Sequence, residues 1–245
     1  MNTKLSQEDF LNGRLKIFQP QQGFKAGSDT VLLAASVSNT QKGKVLDVGC
    51  GVGTAGLCLA FRNKAVEIDG VELHQEMVDL AEKNIKENGF QERITVHQSN
   101  ILDKPSLLEP NSYDLVLTNP PYFEQKGTMK DESRISARMK RDFSIADWIK
   151  QCLRMLKPRG YIHLIYPTDQ LDQVLHALAG KAGGILIYPL WPKAGSESKR
   201  VIIRARKGVK TPARLLNGMV LHKGSVGGYT ENARAVLRDG KGLFD

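Results

Sequence analysis

Cysteine is scarce in this chain: Cys50, Cys58 and Cys152 are the three present in 245 residues, too few and too scattered for a disulfide framework. None stands in metal-ligand spacing with the five histidines, so no metal is expected. No stretch nears the ~20 successive apolar residues of a membrane-spanning helix. The opening, Met1-Asn2-Thr3-Lys4-Leu5-Ser6-Gln7-Glu8, lacks the apolar core of a signal peptide. Together these absences lead to the expectation of a cytoplasmic protein held off the membrane. Acidic residues are also short, 26 against 35 basic ones. The resulting charge of +9 favours a polyanionic partner such as a nucleic acid. Internal repeats are missing too. The length suits one domain over residues 1–245 with a sizeable core.

What is present begins with Val45-Leu46-Asp47-Val48-Gly49-Cys50-Gly51-Val52-Gly53-Thr54, an apolar strand running into a glycine-rich turn. Ala55, Leu57, Leu59 and Ala60 then read as a helix. Glycines at 49, 51 and 53 let the backbone approach a ligand closely, and a helix N-terminus adds N–H donors. A second strand, Val66 to Val71, ends at Glu72, 19 residues after Gly53. An acidic residue at about that distance grips ribose hydroxyls in nucleotide-binding α/β units. This spacing serves a nicotinamide cofactor and S-adenosylmethionine equally well.

The second motif is Asn119-Pro120-Pro121-Tyr122, which ends the run Tyr113-Asp114-Leu115-Val116-Leu117-Thr118. Two prolines remove backbone donors and leave the Pro120 carbonyl free to accept. The Asn119 amide adds an acceptor and Tyr122 a flat face for stacking. Two acceptors and a ring make a clamp for the exocyclic NH2 of a base, or for a carboxamide. Asn-Pro is also ordinary turn chemistry.

Strands and helices alternate from Val45 onward, which implies an α/β fold with a mostly parallel sheet covered on both faces. Ser28 is expected to cap a helix reaching Val37. Gln75 to Asn88 reads as a helix with Met77, Leu80, Ala81 and Ile85 on one face. Arg93 to His97 reads as a strand. Ser144 to Leu156 reads as a helix broken by Lys157-Pro158-Arg159-Gly160, with Tyr161 to Tyr166 resuming the sheet. Trp148 and Cys152 are assigned to packing. Ligands should sit at the carboxyl ends of the strands, where both motifs fall.

Asp47-x-Gly49-x-Gly51-x-Gly53, Glu72 and Asn119-Pro120-Pro121-Tyr122, in this order, resemble the class I S-adenosylmethionine-dependent methyltransferases that modify planar NH2 groups. Phe24-Lys25-Ala26-Gly27-Ser28-Asp29-Thr30-Val31-Leu32-Leu33 and Leu221-His222-Lys223 … Gly228-Tyr229-Thr230 are similar to segments of a narrower group. That group is the bacterial tRNA (adenine-N6)-methyltransferases acting beside the anticodon of valine tRNA. The resemblance covers nearly the whole chain. It implies a seven-stranded sheet closed by an antiparallel pair, Ile185 to Tyr188 and Arg200 to Arg206. It implies S-adenosylmethionine as cofactor and tRNA as partner, with Asn119, Pro120 and Tyr122 holding the target amine. Glu72 would hold the ribose diol. Asp47 would either contact the amino-acid moiety through water or cap the glycine turn. Asn100, beside Ile101, stands where the family usually has an acidic acceptor for the cofactor's adenine amine; an amide oxygen accepts that bond too. Thr30 and Phe24 would line the cofactor mouth, though Phe24 suits a core equally. Residues 1–40 would pack over the cofactor site, in a monomer.

Two basic segments complete the reading. Residues 124–141, polar and patternless, are expected to form a mobile substrate loop, with Lys126, Lys130, Arg134 and Arg138 facing RNA. From Lys193 to Arg214 eight basic residues meet only Glu197, and strand alternation puts Arg204 and Arg206 on one face, with Arg200 on the same strand. An RNA-backbone footprint is the expectation, against a solvated edge. A protein glutamine-N5 methyltransferase is the nearest rival, but residues 1–44 leave no room for that family's N-terminal helical domain. Other amino-methyltransferases of RNA or DNA, and a non-catalytic cofactor-binding module that docks on RNA, remain as alternatives.

Overall fold

Apolar residues alternate faces along each central strand, and this alternation builds two separate cores. In the computed structural model, which describes residues 4–22, 25–121, 143–224 and 227–244, Val45, Leu115, Leu117, Ile165 and Ile202 face one cluster. Their neighbours Leu46, Val116, Leu164 and Ile203 face the other. A strand buried on both faces needs helices on both sides, as a crossover-linked parallel sheet provides.

Five strands lie parallel at the centre: β3 (Gly43–Val48), β4 (Val66–Glu72), β5 (Ile94–Gln98), β6 (Tyr113–Thr118) and β7 (Leu156–Pro167). They run β5-β4-β3-β6-β7, and β9 (Arg200–Lys207) then inserts antiparallel between β7 and β8 (Ala182–Trp191). The expected closing pair is thus present. The sheet has nine strands where seven were expected. Two short ones, β10 (Arg214–Leu215) and β11 (Met219–Val220), run parallel along the outer edge of β8 and occupy its otherwise open hydrogen-bonding groups.

Helices α1 (Ser28–Ala35), α2 (Thr54–Arg62), α3 (Gln75–Glu87), α4 (Ile145–Met155), α5 (Leu171–Leu178) and α6 (Glu231–Leu237) cover the sheet. Two boundaries differ from expectation. Ser28 is the first helical residue, with Gly27 at the cap position and no side-chain cap. The helix stops before Lys157-Pro158-Arg159-Gly160 as expected, but the sheet resumes earlier than Tyr161: β7 starts at Leu156, and its register against β6 shifts between Tyr113 and Leu115. That bulge takes up the proline and a positive-φ Arg159 without ending the strand. Ser144 caps α4 reciprocally with Asp147, a capping box. The three cysteines are buried and free. Among the described residues no group of three metal-ligating side chains forms, and no helix is long and apolar enough to cross a membrane.

Ahead of the sheet, β1 (Leu5–Phe10) and β2 (Leu15–Pro20) make a separate hairpin. Its outer edge is finished by two amides four residues apart, Asn84 in α3 and Asn88 at its C-terminal cap. Asn88 accepts from Lys16 N and donates to Lys16 O. Asn84 accepts from Phe18 N at 2.8 Å and donates to Phe18 O and to Val52 O in the glycine turn. Asn84 is fully buried, so it ties the N-terminal segment to the turn through bonds that water cannot replace. Asn84→Ala should cost roughly 2–4 kcal/mol of unfolding free energy by urea denaturation, and Asn88→Ala about 1, since Asn88 stays near solvent.

Candidate active site

Val48 of β3 pairs with Thr118 of β6, so the glycine turn and the Asn119-Pro120-Pro121 segment leave the sheet side by side, about one strand spacing apart. Gly49, Gly51 and Gly53 all have positive φ, at 71°, 55° and 82°. At Gly49 a Cβ would also stand 3.2 Å from the Trp148 ring. The turn is pinned from behind, with Gly49 N and Cys50 N donating to Val71 O and Gly53 N to Cys50 O. Gly53 then caps α2 in the left-handed conformation that glycine adopts most readily.

Glu72 ends β4 one strand further across. Its Oε2 accepts from Gly51 N at 3.0 Å, and its Oε1 from Leu73 N and His74 N at 2.8 and 2.9 Å. Three backbone donors hold the carboxylate in place, and its remaining lone pairs are left for hydroxyl donors. Asn100 follows the neighbouring strand, where Gln98 pairs with Glu72, and stands close to it. Its side chain accepts from Leu102 N, capping the short turn Ile101–Asp103. Ile101 is buried in the second core. Thr30 is buried in the first turn of α1.

Asp47 points behind the turn and accepts from Gly56 N at 3.0 Å. Burial pushes its carboxyl up to about 7; the Gly56 N–H opposes that shift, and the charge on Glu72 adds to it. This geometry matches the capping alternative for Asp47.

Sequence reading assigned Trp148 to packing and passed over Thr118. Both are buried. Trp148 Nε1 donates to Thr118 Oγ1 at 2.9 Å, and Thr118 Oγ1 donates to the Val48 carbonyl at 2.8 Å. This relay locks the ends of β3 and β6 where the two motifs begin. A buried indole N–H must find an acceptor, which was the available signal, but its partner 30 residues away was not legible.

Tyr122, Phe24, Lys126, Lys130, Arg134 and Arg138, with residues 124–141 as a whole, lie outside the described residues. The strand-borne arginines separate. Arg200 pairs with Pro167 at the ligand end of the sheet and binds Asp29 at 2.9 Å. Because β9 runs antiparallel, Arg204 and Arg206 lie toward the opposite end, where both stand over the Tyr161 ring. Arg206 also donates to Arg159 O. Histidine supplies no base at the rim from β7: His163 sits mid-strand, buried and bonded to Ser36. Burial, with Arg204 adding to it, holds that imidazole down to about 3.

A mostly parallel α/β sheet of order β5-β4-β3-β6-β7-β9-β8, with β9 antiparallel, a glycine turn after β3 and an acidic residue ending β4, defines the class I methyltransferase fold. The methyltransferase small domain matches residues 22–171. A tRNA1(Val) (adenine(37)-N6)-methyltransferase of Aeromonas hydrophila is 34% identical over 76% of this chain and 78% of its own length. One of the same name from Yersinia pseudotuberculosis is 31% identical over 90% of this chain and 81% of its own. A solved structure, described as a predicted O-methyltransferase of Agrobacterium tumefaciens, superposes with TM-score 0.73 at 22% identity. It covers 87% of this chain and 97% of that one, a likeness of fold. The chain belongs to the methyltransferase small-domain family and is a methyltransferase dependent on S-adenosylmethionine. The residues present fit that cofactor: a positive-φ Gly51 with open space where a Cβ would stand, and a carboxylate pre-oriented for a diol.

The raised Asp47 carboxyl has a stability consequence. The folded protein keeps a proton that the unfolded chain releases near pH 4. The stability this group contributes is therefore complete below about pH 4 and is lost as pH rises through about 7. Asp47→Asn keeps an acceptor for Gly56 N without the buried charge. Its stability relative to the parent should grow by on the order of 2 kcal/mol between pH 5 and pH 8, measured by thermal denaturation.

Proposed function

We propose that the chain methylates N6 of an adenosine in the anticodon loop of a tRNA. The observation that carries this reading is the adjacency of the glycine turn and Asn119-Pro120 on neighbouring strand ends. The activity for which the relatives are named supports it, as does a net charge of +9 suited to a polyanion. When bound, S-adenosylmethionine supplies an electrophilic methyl group.

The chain's own residues supply placement and charge stabilisation. An adenine N6 lone pair is delocalised into the ring and is a poor nucleophile. The Asn119 side-chain oxygen and the Pro120 carbonyl accept from the NH2, which favours a pyramidal nitrogen and stabilises the positive charge growing on it. Tyr122 stacks on the base and fixes its plane. Glu72 receives the ribose hydroxyls, with Gly49, Gly51 and Gly53 admitting the cofactor to the backbone. Asn100 and Ile101 flank the cofactor's adenine, and Thr30 and Phe24 its mouth. Asp47 holds the turn from behind. A methylated ammonium is acidic enough to lose its proton to water, so no histidine is required.

Residues 1–40 form one side of the cofactor site, a placement supported by the Asn84 bridge between Phe18 and Val52. The cytoplasm, where tRNA is modified, is the compartment this reading implies, and the single domain acts as a monomer. Lys126, Lys130, Arg134 and Arg138 approach the RNA from the segment after the clamp. Arg200 stands at the same rim, whereas the geometry of Arg204 and Arg206 favours packing over phosphate contact.

Asn119→Ala should leave cofactor affinity by calorimetry within about twofold of the parent. It should lower kcat on tRNA by about 100-fold or more, as for loss of a hydrogen bond made in the transition state. Normal turnover in this variant would remove the proposed mechanism.

A further inference from the structure

The rim that carries Asn119 holds a second feature at its far end. Leu190 of β8 stands opposite Arg200, which stands opposite Pro167 of β7. Leu164 of β7 stands opposite Thr118. Following this register across the sheet, Leu190 is level with Pro121, and the next residue, Trp191, emerges at the same edge as the clamp. Three strand spacings separate β6 from β8, about 14 Å.

Trp191 is half-buried and donates its Nε1–H to Asn217 O at 3.0 Å, which fixes the ring. A hollow of about 700 Å³ lies on one side, bordered by Lys193, Ser196, Asn217 and Asn232. A second, of about 490 Å³, lies on the other, bordered by Ser198, Leu215 and Leu216. Both volumes fall in the range of about 300–1,000 Å³ usual for sites that take a small molecule or base. Leu215, 73% exposed and opposite Ile187 of β8, leaves an apolar surface in water on the border of the second hollow. Exposed Lys193 lines the first hollow, and exposed Lys199 and Arg214 are next in the chain to Ser198 and Leu215 of the second, with the acidic Glu197 and Glu231 also exposed nearby in sequence. An anchored indole accepts any base by stacking, amides and hydroxyls suit base edges, and lysines suit phosphates.

We propose that the hollows flanking Trp191 form a second, non-catalytic nucleobase site that captures a nucleotide neighbouring the target adenosine in the RNA. This rests on the functional reading above. The span of about 14 Å from the clamp corresponds to about four stacked bases at ~3.4 Å each, or fewer splayed ones, so both sites engage one loop. Two anchors along one strand hold the loop in register while the target base is drawn out.

The test uses the full chain and an RNA stem-loop carrying the adenosine, with abasic substitutions at each loop position flanking it. Trp191→Ala should weaken stem-loop binding by about 10–100-fold, and Trp191→Phe by only a few fold, with cofactor affinity unchanged in both. In the parent one flanking abasic position should cost a similar factor, and that cost should disappear in Trp191→Ala. Should Trp191→Ala fail to fold, Lys193→Gln with Lys199→Gln reads the same surface, and the slope of log affinity against log salt should fall by about 2. Abasic penalties that persist undiminished in a folded Trp191→Ala, or an unchanged salt slope in the lysine pair, would overturn the site. If the stem-loop is methylated normally in that case, the subsite alone fails. If the parent methylates no RNA, the functional reading fails first.

Discussion

The bonds from the Trp148 indole to the Thr118 hydroxyl, and from that hydroxyl to the Val48 carbonyl, govern the rest of the site. β3 leads into the glycine turn and β6 into Asn119-Pro120-Pro121, so the proposed reaction requires these two strand ends to keep a fixed offset. Ladder hydrogen bonds alone leave strand termini to fray. Here the last side chain of β6 bonds across to the last carbonyl of β3, and a helix on the second face closes the chain of donors. The relay is buried throughout, so each member would carry a full desolvation cost if its partner were lost. The same indole packs on Gly49, where no other residue fits both the space and the positive φ. One side chain thus sets both halves of the site.

Electrostatics reinforce that arrangement. Backbone donors from two segments hold the Glu72 carboxylate in place, while Asp47, on the neighbouring strand β3 opposite Gly70, accepts from Gly56 N and carries the burden of burial. Two carboxylates at neighbouring strand ends therefore have different surroundings: Glu72 is held by backbone donors of the glycine turn and of the segment after β4, and Asp47 by Gly56 N at the start of α2. A similar division separates the arginines of β9. Arg200 lies at the ligand end and is balanced by Asp29, while Arg204 and Arg206 cover an aromatic ring at the other end. Density of charge along the sequence did not reveal this, because β9 spans the sheet and its antiparallel direction puts Arg200 at one end and Arg206 at the other.

Where local pattern decided structure, the sequence was legible. The β-branched strands, the glycine turn, the acidic end of β4 and the Asn-Pro-Pro stop of β6 all fell where their residue types placed them, and the closing antiparallel pair matched the implied topology. Boundaries were less so. Proline and glycine at 158 and 160 predicted where the helix stops, and it stops there, but the strand begins at once at Leu156 and a register shift against β6 accommodates them. Ser28 had cap chemistry, but Gly27 took the cap position. Long-range polar contacts were not legible at all: the Asn84 bridge and the Trp148 relay join residues that share no local pattern, and only the folded chain brings them together.

The central claim is that this clamp holds the N6 amine of an RNA adenosine. The most direct measurement incubates the protein with unmodified tRNA and S-adenosylmethionine carrying an isotopically labelled methyl group, then digests the RNA to nucleosides for mass spectrometry. The account predicts label in N6-methyladenosine and in no other nucleoside. Label confined to N2-methylguanosine or N4-methylcytidine, or found instead on a protein glutamine, would contradict it.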